Sequence, residues 1–225
     1  DTMELSFALR YDREEREVTN QVPNVLNSGL NVNLLDATGA PRPINPAFES
    51  NPEGIPDRAR DFNQLQPKVT WNWAASDSVN VYASYGLGFR SGGFTAIGTE
   101  DLLNFWFNAG FGGPGEVVDA QLQVTDDYDK EISTAFEVGF KSEWMDRRLR
   151  LNAAAFRTDV EDNQFFEFYA GPFGILRTVT TIDELYIQGV EADFTFVATE
   201  YLTLYGGIGL MDSEIERNDH RPLSE

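Results

Sequence analysis

The polarity of this chain alternates with a period of two in seven separate segments, and that pattern confines it to β-structure. In the first, Met3, Leu5, Phe7, Leu9 and Tyr11 oppose Glu4, Ser6, Ala8 and Arg10. The second, over 65–75, sets Leu65, Pro67, Val69, Trp71, Trp73 and Ala75 against Gln66, Lys68, Thr70, Asn72 and Ala74. A third, over 79–89, runs from Val79 through Val81, Ala83, Tyr85 and Leu87 to Phe89 without one parity error. The fourth, 132–141, has Ile132, Thr134, Phe136, Val138 and Phe140 on its apolar side. A fifth begins at Leu149, and from Phe156 onward its aromatic and aliphatic residues change parity, so that either a bulge or inward-facing aromatics is expected there. Val190, Ala192, Phe194, Phe196 and Ala198 mark the sixth, and Leu202, Leu204, Gly206, Ile208 and Leu210 the seventh. No segment of comparable strength has helical periodicity.

The connections between these strands alternate long and short: 12–64, 76–78, 90–131, 142–147, 161–187 and 199–201. Soluble sandwiches and barrels keep hairpin loops short at both ends, about two to five residues. A transmembrane barrel instead pairs tight periplasmic turns with large extracellular loops. Strand length agrees, since about eleven residues at ~3.3 Å, tilted near 45°, rise ~25 Å, the height of an outer-membrane apolar band. Trp73, Trp144 and Tyr201 gather at the short-turn end, and Tyr11 and Phe89 at the long-loop end, as two aromatic girdles would. The apolar parity then faces lipid: Val69, Trp71, Trp73, Val79, Val81, Tyr85, Leu87, Phe89, Phe136, Val138, Phe140, Val190, Phe194, Phe196, Leu202 and Leu204. Gly, Ser, Asn and Thr on the other parity suit a wet lumen. The expected fold is all-β, part of a large antiparallel up-and-down transmembrane β-barrel, with about seven strands in this window.

Composition excludes several function classes. Seventeen Lys and Arg against 37 Asp and Glu leave a net charge of −20, which opposes binding to nucleic acid. There is no cysteine and a single histidine, His220, so disulfide frameworks, thiol catalysis and histidine-based triads or zinc sites lose their residues. No apolar run is long enough for a transmembrane helix, a fact silent on β-barrels. The opening Asp1-Thr2-Met3-Glu4 lacks a signal peptide, and the polar stretch Arg221–Glu225 closes no element, so 1–225 reads as a window onto a longer protein.

Pro67-Lys68-Val69-Thr70 followed by Asp77-Ser78-Val79-Asn80-Val81-Tyr82-Ala83-Ser84-Tyr85-Gly86-Leu87-Gly88-Phe89-Arg90-Ser91-Gly92-Gly93-Phe94 closely resembles the barrel of TonB-dependent outer-membrane receptors. Leu9–Glu14, Phe136–Ser142 with Arg148–Ala154, and Gly189–Ala192 with Leu202–Leu204 are similar to further stretches of that family, and the match spans about residues 5–212. The resemblance implies a barrel of about 22 strands around an N-terminal plug, with residues 1–225 forming a partial barrel that holds neither plug nor natural termini. It implies a bacterial outer-membrane receptor that imports a scarce nutrient such as a ferric siderophore, energised through TonB acting on the plug. Its partners would be outer-membrane lipid, TonB and that small ligand, with no nucleic acid, cofactor, bound metal or enzymatic activity. A passive porin or adhesin barrel, and a soluble carbohydrate-binding β-sandwich, are the alternatives.

Site candidates lie in the long connections. Gly86–Gly93 has neither GxGxxG spacing nor a Lys-Ser/Thr ending, so its glycines suit a lumen face that a plug backbone approaches closely better than phosphate. Arg90, on the polar parity at the outer rim, could meet an anionic chelate or pair with a loop carboxylate. Phe105, Trp106 and Phe107, and Phe165 and Phe166, could close over an aromatic ligand or pack on their own loops. The acids Asp126, Asp127 and Asp129, and Asp159, Glu161 and Asp162, lack EF-hand spacing and read as solvated surface rather than a calcium site. No carboxylate pair is fixed across a sugar-sized gap as glycoside hydrolysis requires.

Overall fold

A computed structural model describes residues 2–21, 23–26, 38–95, 98–109, 122–171 and 173–218. The elements are β1 (Thr2–Val18), α1 (Ala47–Ser50), β2 (Arg58–Ser76), β3 (Val79–Arg90), β4 (Gly93–Phe94), α2 (Thr99–Ala109), β5 (Asp127–Tyr128), β6 (Glu131–Trp144), β7 (Leu149–Gly171), β8 (Gly174–Thr199) and β9 (Leu202–Arg217). Seven of these strands form one antiparallel sheet in the order β1-β2-β3-β6-β7-β8-β9, which is chain order once the small β4-β5 pair is set aside. The up-and-down wall expected from the alternation is therefore present. His220 lies outside the described residues.

Three expectations are corrected. The segment 161–187 is not a loop, because β7 and β8 stay paired without a register shift from Leu149↔Phe196 to Gly171↔Gly174. Its β-branched and aromatic residues, among them Thr178, Val179, Thr180, Thr181 and Ile182, favour strand, while its irregular polarity hid it from a period-two search. β1, β2 and β9 likewise run beyond the alternating segments into charged ribbon held by cross-strand groups such as Arg13 and Asp61. The connection 90–131 contains a helix, α2, whose Leu102, Leu103 and Trp106 are buried at near-helical spacing.

Phe156 resolves as an inward-facing aromatic rather than a bulge. It stands opposite Gly189, and its ring occupies the space that a side chain there would need. The β6–β7 turn puts Met145, Asp146 and Arg147 at φ of 54°, 54° and 66°, a left-handed run that costs non-glycine residues energy. Arg148 fixes it, donating to the carbonyls of Val197 (3.0 Å) and Ala198 (2.6 Å), while its own carbonyl accepts from Val197 N–H.

Burial is inverted relative to a water-soluble fold. None of the residues expected to face lipid is buried, and half of them are exposed outright, including Phe136, Phe140 and Phe194. The buried clusters lie instead in the excursions at the long-connection end: Ala47, Phe48 and Ile55; Leu102 and Trp106; Leu103, Val124 and Tyr169.

The margin of the apolar face shifts once, between β6 and β7. Phe89 and Ile132 share one cross-strand row with Glu161, yet on β7 the apolar parity ends at Ala155, six residues short of Glu161. On β8 and β9 it ends at Val190 and Leu210, in Ala155's row, above which stand Arg157, Gln188 and Asp212.

Candidate functional site

The outer end of the sheet is built around the corner Ser91-Gly92-Gly93. Ser91 Oγ donates to Glu14 Oε2 at 2.5 Å and accepts from Arg16 Nη2 at 2.6 Å, which ties the end of β3 to β1. The serine hydroxyl, helped by Arg16, holds the Glu14 carboxyl below its ordinary range. Gly92 lies against the Phe62 ring and the Tyr128 carbonyl so closely that a Cβ would overlap both. From β7, Gln164 donates to the carbonyls of Ser91 (2.9 Å) and Asp129 (3.0 Å). Glu131 accepts from Asn163 Nδ2 and Gln164 N–H. The end of the glycine-rich motif is thus a close-packed corner against β2 and the β3–β6 connection.

Beyond it, the acids 126–129 divide into two roles. Asp126 is 1% exposed and caps α2 from a distance, accepting from Gly98 N–H at 2.7 Å and Glu100 N–H at 2.8 Å. Its own amide donates to Glu100 Oε2 at 3.2 Å, a reciprocal arrangement like a capping box assembled across a long loop. Asp127 and Asp129 pair with Arg60, and Arg58 approaches Asp126 at 3.5 Å. These acids serve helix capping and arginine clamping, so the expectation of solvated surface fails for Asp126.

α2 joins all three excursions. Trp106, 1% exposed, donates Nε1–H to the Ile44 carbonyl of the β1–β2 connection at 3.1 Å. Phe107 meets Tyr169 of the β7–β8 hairpin edge to face at 5.4 Å, and Phe173 and Leu176 complete the contact. The result is a head with its own apolar core, standing above a wall whose apolar face is uncovered.

The proposed ligand residues fall in different places within it. Phe105, Trp106 and Phe107 come together on α2, with Trp106 inside the head's core and Phe105 packed edge to face against it. Phe165 is half-buried on the hairpin face that also carries Tyr169. Phe166 is on the opposite face, 58% exposed, in edge-to-face contact with Phe168 (63% exposed) and with Arg177 over its ring. Arg177 and exposed Ile175 were not singled out from sequence. Alternation in Phe165–Tyr169 was the available signal, since it separates Phe166 and Phe168 from Phe165 and Tyr169. Arg90 is solvent-exposed, 3.7 Å from Glu131, its cross-strand partner.

Lower on the polar face, Asn152 donates to Asp193 at 2.9 Å and Lys141 lies over the Tyr82 ring, lining a hollow of about 260 Å³ with Glu191.

A family described as TonB dependent receptor-like, beta-barrel matches residues 1–222. A curated relative, the probable TonB-dependent siderophore receptor PiuA of Acinetobacter baumannii, is 26% identical over 158 residues, covering 70% of this chain and 18% of PiuA. Among solved structures, the copper transporter OprC superposes with a TM-score of 0.57 at 18% identity, over 96% of this chain and 27% of OprC. The ferric yersiniabactin uptake receptor FyuA from Yersinia pestis does so at 0.56 and 16% identity, over 94% of this chain and 24% of FyuA. The chain therefore spans about a quarter or less of the proteins it matches.

Proposed function

We propose that this chain, which belongs to the TonB-dependent receptor-like β-barrel family of the bacterial outer membrane, is the wall and part of the binding head of an importer for a ferric siderophore or similar iron complex. The observation that carries this reading is the division of the molecule into two solvents' worth of structure. The strand wall leaves its apolar face open for lipid, while the outer excursions bury a core of their own and present aromatic and arginine side chains. Exposed Phe166 and Phe168, with Arg177, offer ring faces and a cation to an aromatic, anionic chelate, and Arg90 offers a second cation at the rim. That PiuA is described as a probable siderophore receptor supports this reading. Lipid packs on the apolar parity from Val69 to Leu204, and TonB acts through a plug that residues 1–225 do not include. The family is one of receptors rather than enzymes.

The test is uptake of radiolabelled iron by cells that carry or lack the whole protein, with a panel of ferric siderophores. The reading expects loss of uptake for one chelate class, and loss also on collapse of the proton gradient. Uptake that persists without the gradient would identify a passive porin instead. The double substitution Phe166→Ala with Phe168→Ala should weaken chelate binding while leaving barrel assembly intact.

A further inference from the structure

One face of the β7–β8 hairpin carries an aromatic patch that the head leaves open. Phe166 and Phe168 meet edge to face at 5.6 Å, and Ile175, on the neighbouring strand, is 74% exposed. Arg177 is also exposed, stands opposite Phe168 in the register, and holds its guanidinium 5.7 Å from the centre of the Phe166 ring. Every other described arginine has a carboxylate or carbonyl partner, and even Arg90 is engaged by Glu131. Among the described residues, the Arg177 side chain has neither an ion pair nor a hydrogen bond.

In a chain of net charge −20, an unpaired cation on an aromatic patch is complementary to rings that carry negative charge. The anion supplies the missing partner and the rings cover the phenyl faces. The charge that fits there is small. Toward the wall the same hairpin sets Glu161 opposite Glu184, with Asp162 and Asp183 beside them. Burial, and then Asp129, Asp183 and Glu161, push the Asp162 carboxyl up, so these acids already repel one another. They begin about four residues (~13 Å) from Phe166, a distance at which screening leaves a weak repulsion that grows with the charge of the ligand.

We propose that this patch selects a ferric chelate with aryl rings and a single net negative charge, over ringless chelates and over multiply charged ones. The inference rests on the importer function proposed above and narrows its ligand. A second copy of the chain is a poor occupant, because two acidic surfaces would meet.

The whole protein in mild detergent is titrated calorimetrically with three ferric probes. They are the bis-phenolate complex of ethylenediamine-di(o-hydroxyphenylacetate), singly negative; a hexadentate tris-catecholamide, triply negative; and desferrioxamine, which has no ring. The first should bind about fivefold tighter than either of the others, the effect of one partly solvated ion pair. Arg177→Gln should weaken the singly negative probe about fivefold and leave desferrioxamine within twofold. Asp162→Asn should narrow the gap between the singly and triply negative probes. Phe166→Ala with Phe168→Ala should weaken both ring-bearing probes; should that pair impair assembly, Arg177→Gln, at an exposed strand position, decides the matter by itself. Equal or tighter binding of the triply negative or ringless probe, unchanged affinities in Arg177→Gln, or a dimer that the phenylalanine substitutions split, overturns the proposal. Silence with all three probes while cells take up another ferric chelate overturns it too and spares the importer function. Failure of the importer function is distinct, since no ferric chelate of any charge would then depend on the protein for uptake.

Discussion

Replacing Asp126 by alanine tests whether the head is a cooperative unit held by one buried carboxylate. The substitution removes the acceptor for two amides at the start of α2, Gly98 N–H and Glu100 N–H, inside a site from which water is excluded. Loss of an N-cap costs ~0.5–2 kcal/mol, and charge-assisted bonds are worth ~1.5–3 kcal/mol each. Arg58 retains Asp127 nearby at 3.9 Å and is partly solvated, so its orphaning adds little. A total near 3 kcal/mol follows, which corresponds to a rise of about a hundredfold in local opening. Hydrogen exchange on the whole protein in detergent should show this in peptides covering 99–109 and 122–126. Exchange in β3, whose pairing does not involve the head, should be unchanged. Asp126→Asn, which keeps an oxygen but not the charge, should fall between. A change under about threefold in α2, or an equal change throughout the strands, would refute the assignment of Asp126 as the cap on which the head depends.

Arginine at Val81, Phe136 or Phe194 should cost roughly 2–4 kcal/mol in denaturant unfolding from lipid vesicles, while arginine at Asn80 or Ser84 is tolerated; equal costs on both faces would remove the lipid-facing assignment. Glu14, whose carboxyl is held low by Ser91 and Arg16, contributes stability that is complete above 4.5 and lost as pH falls through its lower folded value. Exchange at Ser91–Gly93 should therefore accelerate on acidification below that point, and Glu14→Gln should abolish the dependence. Asp162 has the opposite sign, because burial and then Asp129, Asp183 and Glu161 raise its carboxyl, so its ionised form penalises the fold above that raised value. Asp162→Asn, which suits the φ of 52° at this position, should slow exchange in the β7–β8 hairpin at neutral pH. Gly92→Ala should reduce surface assembly of the barrel, measured by folded protein in the outer membrane, because its Cβ has no space between Phe62 and Tyr128.

Period-two polarity by itself determined the wall: strand identity, antiparallel order, the two faces and the short turns all follow from a side-chain period set by backbone geometry. Where both faces meet lipid or water uniformly, as at Val79–Phe89, local pattern and final structure coincide. Tertiary structure decided the head. The hairpin 161–187 escapes a period-two search because its exposed face also carries apolar residues, Phe166, Phe168 and Ile175, while the partner that packs Tyr169 on the other face, α2, comes from a distant segment. α2 was hidden for a related reason, since its cap, Asp126, lies 26 residues beyond Glu100. Its apolar residues looked like an aromatic loop until Ile44 and Tyr169 arrived from other connections. Trp106 shows the difference most plainly: its sequence context admits both packing and a ligand contact, and only long-range packing placed it in the core. Contacts between distant segments depend on how the strands deliver the loop ends, which is a property of the assembled sheet and not of any short window of chain.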